Sequence, residues 1–243
     1  MVGKHGAALF LALLLAGVSP AWGLVNDCDE SPVALQVLGS GGPFPRDGRA
    51  SSSYLVWLGG RARVMIDAGG GAFVRFGESG ARVEDLSLLA ISHFHPDHVS
   101  DLPALLWVSN VFRNQPLPLS GPSGDEVFPG VTEFVSRLFD EKDGAFPILS
   151  WTLGGDAHYF TGIFPLEVAS VDVAQPQATV VLDTKELKVS AIGVPHNAPT
   201  LAYRVQVGEV SIVFSSDQNG SDPRFVDFAR GATRTVAFSS SSI

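Results

Sequence analysis

Short runs rich in β-branched and aromatic residues recur along the chain, each closed off by Gly, Pro, Asp or Asn. They occupy residues 33–38, 54–58, 63–66, 88–92, 164–171, 179–182, 187–194, 201–207 and 210–215, and their length and boundaries predict strands. Between them, apolar residues at helical spacing predict a helix over 97–112, kinked or restarted at Pro103, and a second over 125–140. A third is capped by Asp222, carries Pro223 at its first helical position and runs to Arg230. Residues 140–178, with Gly154-Gly155 and several prolines, read as loop. Strands first, helices interspersed and a hairpin late in the chain favour two mixed sheets with helices outside over a simple alternating parallel sheet.

The start of the chain has a different pattern. Lys4 and His5 precede a continuous apolar run, 7–17, and small residues then lead to Ala21-Trp-Gly23. This is the layout of a secretory signal peptide cleaved after Gly23, and so short an apolar run does not span a bilayer comfortably. The expected organisation is a signal segment, 1–23, then one domain, 24–243, exported to a periplasm or beyond, with no membrane span left after cleavage. The hydrophobic share of 45% supports a real buried core. Of the 16 basic residues only Lys4 lies in the signal, so the domain sets the remaining basic side chains against 25 acidic ones. A surface this acidic repels phosphate backbones, which predicts no stable nucleic-acid binding, although a metal could hold one phosphate locally. Cys28 is the single cysteine, so no internal disulfide forms.

The candidate chemistry sits in Ile91-Ser-His93-Phe-His95-Pro-Asp97-His98. His93 and His95 are two apart just past a predicted strand, so alternation sends both imidazoles to one face and toward one cation. Asp97 and His98 fall where a helix begins and point toward a second cation nearby, while Pro96 disfavours a helical conformation at His95. Four potential ligands in six positions, in a chain with six histidines, suit a two-metal site better than a solvated helix start.

His93-x-His95-x-Asp97-His98 resembles the signature of the metallo-β-lactamase superfamily. Val64-Met-Ile-Asp67-Ala-Gly69 is similar to the element that precedes that signature, and Pro195-His196 and Val213-Phe-Ser-Ser-Asp217 follow in the family's order. The resemblance implies a four-layer αββα sandwich, an α/β fold, with metals at one edge between the sheets and the last part of the second half incomplete here. It implies a first metal on His93, His95 and His196, a second on Asp97 and His98, and Asp217 shared. Zinc is the expected ion at both, held more weakly at the second. Asp67 would accept a hydrogen bond near a ligand histidine. His158 reads as a loop residue. Family members carry a further histidine near the C-terminus, and none follows His196, so the reading expects a truncated C-terminus.

Two metals imply hydrolysis by a bridging hydroxide, with Asp97 orienting the nucleophile. Asp217 and the segment Leu38-Gly-Ser-Gly-Gly-Pro-Phe-Pro45, followed by Arg49-Ala-Ser-Ser-Ser53, resemble the ribonuclease Z-like and arylsulfatase-like branch. The signal segment and the lack of a visible basic arm argue against transfer-RNA maturation. The expected function is therefore an exported dinuclear zinc hydrolase of a small-molecule phosphodiester or related ester. β-Lactam-type amide hydrolysis, and a truncated copy that binds metal without turnover, are the alternatives.

Overall fold

Alternation gives the two faces of each strand different surroundings, and this stacks the chain into four layers. The computed structural model describes residues 32–44, 48–154 and 165–237. The first sheet runs in sequence order through β1 (Val33–Gly39), β2 (Ser53–Leu58), β3 (Arg61–Ile66), β4 (Leu88–Ala90), β5 (Leu117–Pro122) and β6 (Leu166–Val171). Its first three strands pair antiparallel and β3 to β6 pair parallel. The second sheet is an antiparallel run of β7 (Thr179–Asp183), β8 (Lys188–Val194), β9 (Thr200–Val207) and β10 (Val210–Phe214), joined by a parallel β11 (Arg234–Val236).

On β2 to β4, Tyr54, Val56, Val64, Ile66, Leu88 and Ala90 face the second sheet and meet Val189, Ala191, Tyr203, Val205 and Phe214. Leu55, Met65 and Leu89 point the other way, onto Phe76 of α1 (Ala72–Glu78), Leu105 and Leu106 of α3 (Leu102–Phe112) and Val135 and Phe139 of α4 (Val131–Phe139). The outer face of the second sheet, through Ile192, Val194 and Ala202, carries Phe225 and Phe228 of α5 (Pro223–Ala229). The order helices, sheet, sheet, helix is the expected sandwich. Each large side chain so buried contributes about 1.5–3 kcal/mol, more than any exposed ion pair on this surface.

The third predicted helix forms as read: the Asp222 carboxylate accepts from the Arg224 N–H at 2.8 Å, and Pro223 sits in the first turn. Its far end is held by Arg204 of β9, which donates to the carbonyls of Phe228 and Arg230 at 2.8 and 3.0 Å. The structure differs from the sequence reading at five places. The predicted helix 97–112 divides into α2 (Pro96–Val99) and α3, because Asp101 leaves the helix to accept from the Phe73 N–H at 2.9 Å, and Pro103 then opens a new first turn. The predicted helix 125–140 begins only at Val131, since the Asp125 carboxylate turns back on the N–H groups of Val127 and Phe128. β5 was hidden by Pro118, Gly121 and Pro122, which oppose an interior strand, yet Leu117 and Leu119 are wholly buried there and that burial wins. α1 was hidden by the glycines around it, and residues 234–236, which look unlike an apolar strand, pair beside β10.

Among the described residues no helix is long and apolar enough to cross a membrane. The expected signal segment 1–23, Cys28 and His158 lie outside the described residues.

Candidate metal centre

Three strand ends build the site. β3 stops at Ile66 and delivers Asp67, β4 stops at Ala90 and delivers the loop 91–95, and β10 stops at Phe214 and delivers Asp217. A fourth segment, just past β8, delivers His196. Among the described residues, Asp67 (φ 58°) and Ser216 (φ 52°) are the two non-glycine positions with left-handed backbone, and both sit at these strand ends. Strain of this kind concentrates where geometry serves a site. The Asp67 turn also needs Gly69: a β-carbon there would lie 2.0 Å from the carbonyl oxygen of Asp97, so bare backbone packs against the metal-binding loop.

The imidazoles converge. His93 Nε2 lies 3.0 Å from His95 Nδ1, and His196 Nε2 lies 3.3 Å from the same atom. His98 Nε2 faces Asp217 Oδ1 at 3.4 Å and Asp97 Oδ2 at 3.7 Å, and Asp217 Oδ2 is 3.9 Å from His196 Nε2. Two groups of ligand atoms result, each within 4.8 Å: His93 with His95 and His196, and His93 with His98 and Asp217. The first has the composition expected from the sequence. The second draws in His93, and Asp97 stands beside it without joining the group. A tetrahedral zinc with Zn–N bonds of about 2.0–2.1 Å separates its nitrogens by about 3.3 Å, so the spacing on the His95 side fits that ion. The donor set, imidazoles with carboxylates, fits it as well.

Asp67 lies against His98. Its Oδ2 accepts from His98 Nδ1 at 2.7 Å, and its Oδ1 accepts from the Ser92 N–H at 2.7 Å. The side chain is almost wholly buried. Sequence reasoning missed Ser92 and Ser52, whose hydroxyls lie 2.9 and 3.3 Å from the same carboxylate. It also missed Tyr203, which donates to the Ile91 carbonyl at 3.0 Å and ties the loop to the second sheet. Serine and tyrosine in or beside a strand carry no sequence pattern that distinguishes these contacts from ordinary core polar groups. Phe94, between the two histidines, stacks on Phe134 of α4 with ring centroids 4.2 Å apart and so points away from the centre.

The electrostatics oppose each other across the cluster. Burial, helped by the neighbouring His98, His95 and His196, pushes His93 far below the usual histidine range. Burial also lowers His196. For His98 burial works in the same direction, but the Asp67 and Asp217 carboxylates outweigh it and push its pKa up to about 10. Burial would raise Asp217, and the hydrogen bond from His98 overrides it and holds that carboxyl low. Without a metal, His98 is thus an imidazolium between two carboxylates, and a cation at Nε2 must displace that proton.

A stability profile follows for the protein kept in chelator. His98 is raised above its ordinary 6.5, so its stabilisation is complete below that pH and is lost as pH climbs toward about 10. His93 and His196 are lowered, so theirs is present above 6.5 and is lost on acidification. Thermal unfolding in chelator should therefore give its highest Tm near pH 6.5 and fall on both sides. A Tm that rises steadily from pH 6.5 to 9 would contradict the His98 environment described above.

The chain carries a metallo-β-lactamase superfamily domain: residues 46–110 match that family's model, and the two-sheet sandwich is its fold. Within the superfamily its relatives are ribonuclease Z proteins. Ribonuclease Z of Mycobacterium sp. (strain KMS) is 31% identical over 192 residues, which cover 76% of this chain and 61% of that relative. The chain thus spans about three fifths of the length of the curated relatives it matches. Human tRNase Z, short form, shares the fold with a TM-score of 0.65 at 18% identity, over 83% of this chain and 76% of the human one. The metallo-beta-lactamase fold protein YhfI from Bacillus subtilis superposes with a TM-score of 0.59 at 20% identity, over 84% and 70% of the two chains.

These relatives overturn the expectation of a small-molecule ester substrate without nucleic-acid binding, since ribonuclease Z and tRNase Z act on RNA. The charge argument went astray for a physical reason. Net charge averages over the whole surface, whereas a cation held at the centre would set the local sign that a phosphodiester meets there.

Proposed function

We propose that this chain is a zinc-dependent hydrolase of phosphodiester bonds in RNA, working with a pair of ions held by His93, His95 and His196 on one side and by His98, Asp217 and Asp97 on the other. The observation that carries it is the convergence of four imidazoles and a carboxylate from three separated segments at spacings that suit metal ligation. The relatives supply the substrate class.

When bound, the cations would ionise water near neutral pH and neutralise charge on the phosphate. The chain's own part is orientation and proton handling. Asp67 holds the His98 ring with Nε2 turned to the centre, and Tyr203 fixes the backbone of the loop that carries His93 and His95. Asp97, next to His98 Nε2 at 3.7 Å, is placed to accept the proton of the attacking water. Export through residues 1–23 stays part of the proposal, and sequencing the N-terminus of the protein recovered from its host tests it against a mature start at Leu24.

Metal analysis, together with cleavage of an RNA panel that includes transfer-RNA precursors, tests the assignment on wild type and His95→Ala. The expected result is a pair of zinc ions per chain and RNA cleavage that falls about 10³-fold or more in the variant. Stoichiometric metal without cleavage of any RNA would defeat the substrate assignment. A wild-type protein that binds no zinc would defeat all of it.

A further inference from the structure

One hydroxyl touches both halves of the centre. Ser92 Oγ lies 2.9 Å from Asp67 Oδ2, 3.0 Å from His93 Nδ1 and 3.3 Å from His98 Nδ1, and Ser92 is 1% exposed. A serine hydroxyl has a single proton to give and two lone pairs to receive with. The carboxylate can only accept, so that proton goes to Asp67. His93 Nδ1 must then be the donor in its own contact with Ser92, which leaves the lone pair of this ring on Nε2, the atom that faces His95. On the other side, Asp67 Oδ2 takes the N–H of His98 at 2.7 Å, closer than Ser92 does, and this turns Nε2 of His98 toward Asp217.

The backbone of Ser92 is fixed independently of its hydroxyl. Its N–H donates to Asp67 Oδ1 at 2.7 Å, and its carbonyl accepts from the Leu201 N–H of β9 at 2.9 Å. The hydroxyl therefore has no part in holding the strand end in place, and its contacts are all with groups of the centre. His93 is fully buried, and among the described residues the Ser92 hydroxyl is the partner that its Nδ1 meets.

We propose that Ser92 is a positioning residue that sets the tautomer of His93 and, through Asp67, the orientation of His98, so that one hydroxyl prepares ligands for both cations. The inference rests on the metal-centre reading and goes beyond it, because no ligand is changed when Ser92 is replaced. Partners of this kind are worth about 10- to 100-fold in metal affinity.

The experiment compares wild type, Ser92→Ala and Ser92→Thr in two ways. Zinc affinity is measured by competition with a chromophoric chelator, and the ring ¹⁵N shifts of His93 are read in the metal-free protein to locate its proton. The expected results are Nδ1–H in the wild type and a loss of about 10- to 100-fold in zinc affinity in the alanine variant for both ions. The threonine variant should keep affinity within about threefold, because it retains the hydroxyl. Alanine affinity within about twofold of wild type would overturn the proposal, as would a wild-type His93 protonated at Nε2. Should the wild type bind no zinc, the metal reading falls, and the tautomer of His93 still decides the role of Ser92. If the alanine variant does not fold, the threonine variant and the tautomer decide it.

Discussion

Alanine at His93 is expected to empty the His95 and His196 side of the centre and to weaken the other, whereas alanine at His95 or at His98 affects one side. The difference follows from His93 belonging to both groups of converging ligand atoms, while His95 and His196 serve only the first and His98 and Asp217 only the second. With His93 gone, the first group keeps two imidazoles, too few for a tight zinc site, and the second keeps His98 and Asp217 with Asp97 beside them. Zinc content should drop from a pair to about one equivalent or less after exhaustive dialysis, and RNA cleavage should fall about 10³-fold or more. The fold should survive, since His93 is not among the apolar side chains that form the hydrophobic clusters. Mass-spectrometric metal analysis of the three variants side by side gives the answer. A His93→Ala protein that keeps both equivalents of zinc would show that the first group does not depend on this imidazole.

The second large effect concerns backbone. Gly69→Ala is expected to destabilise the fold by about 3 kcal/mol or more, because the new β-carbon would lie 2.0 Å from the Asp97 carbonyl oxygen and 2.8 Å from the Ser51 β-carbon. Neither neighbour is the far end of a flexible side chain, so the turn after β3 and the start of α2 must separate. That movement pulls on the Ala68 N–H, which donates to the His98 carbonyl at 2.8 Å, and so reaches the metal centre. Zinc affinity should fall together with stability. Gly77→Ala, in α1 with open space at its β-carbon, is the control and should gain about 0.5–1 kcal/mol. Urea unfolding of the two variants checks both signs, and a Gly69→Ala variant as stable as wild type would refute the close approach.

Much of the fold was legible because burial imposes periodicity. In the second sheet β7 to β10 were readable from sequence since each puts apolar residues into the inter-sheet core, and the Asp222-Pro223 start of α5 is a local signal with a local cause. What escaped was structure that local preference opposes. β5 carries two prolines and a glycine, and only its place between β4 and β6 makes it a strand. The break at Asp101 depends on a hydrogen bond to Phe73, far off in sequence. In the site, the cluster from His93 to His98 was visible because its residues are neighbours in sequence. Ser92 and Tyr203 were invisible because their meaning lies in partners 25 and 112 positions away.

By itself, then, the sequence determined that an imidazole-rich cluster would follow a buried strand in a layered α/β domain, because ligand spacing and alternation are properties of neighbouring residues. Only the tertiary structure decided that His196 and Asp217 face that cluster, that His93 reaches both groups, and that Asp97 stands to one side. The reason is that these distances are set by how two sheets stack. Side chains just past β3, β4, β8 and β10 meet at one edge only after the core between the sheets has closed, and no pattern within any one strand encodes that meeting.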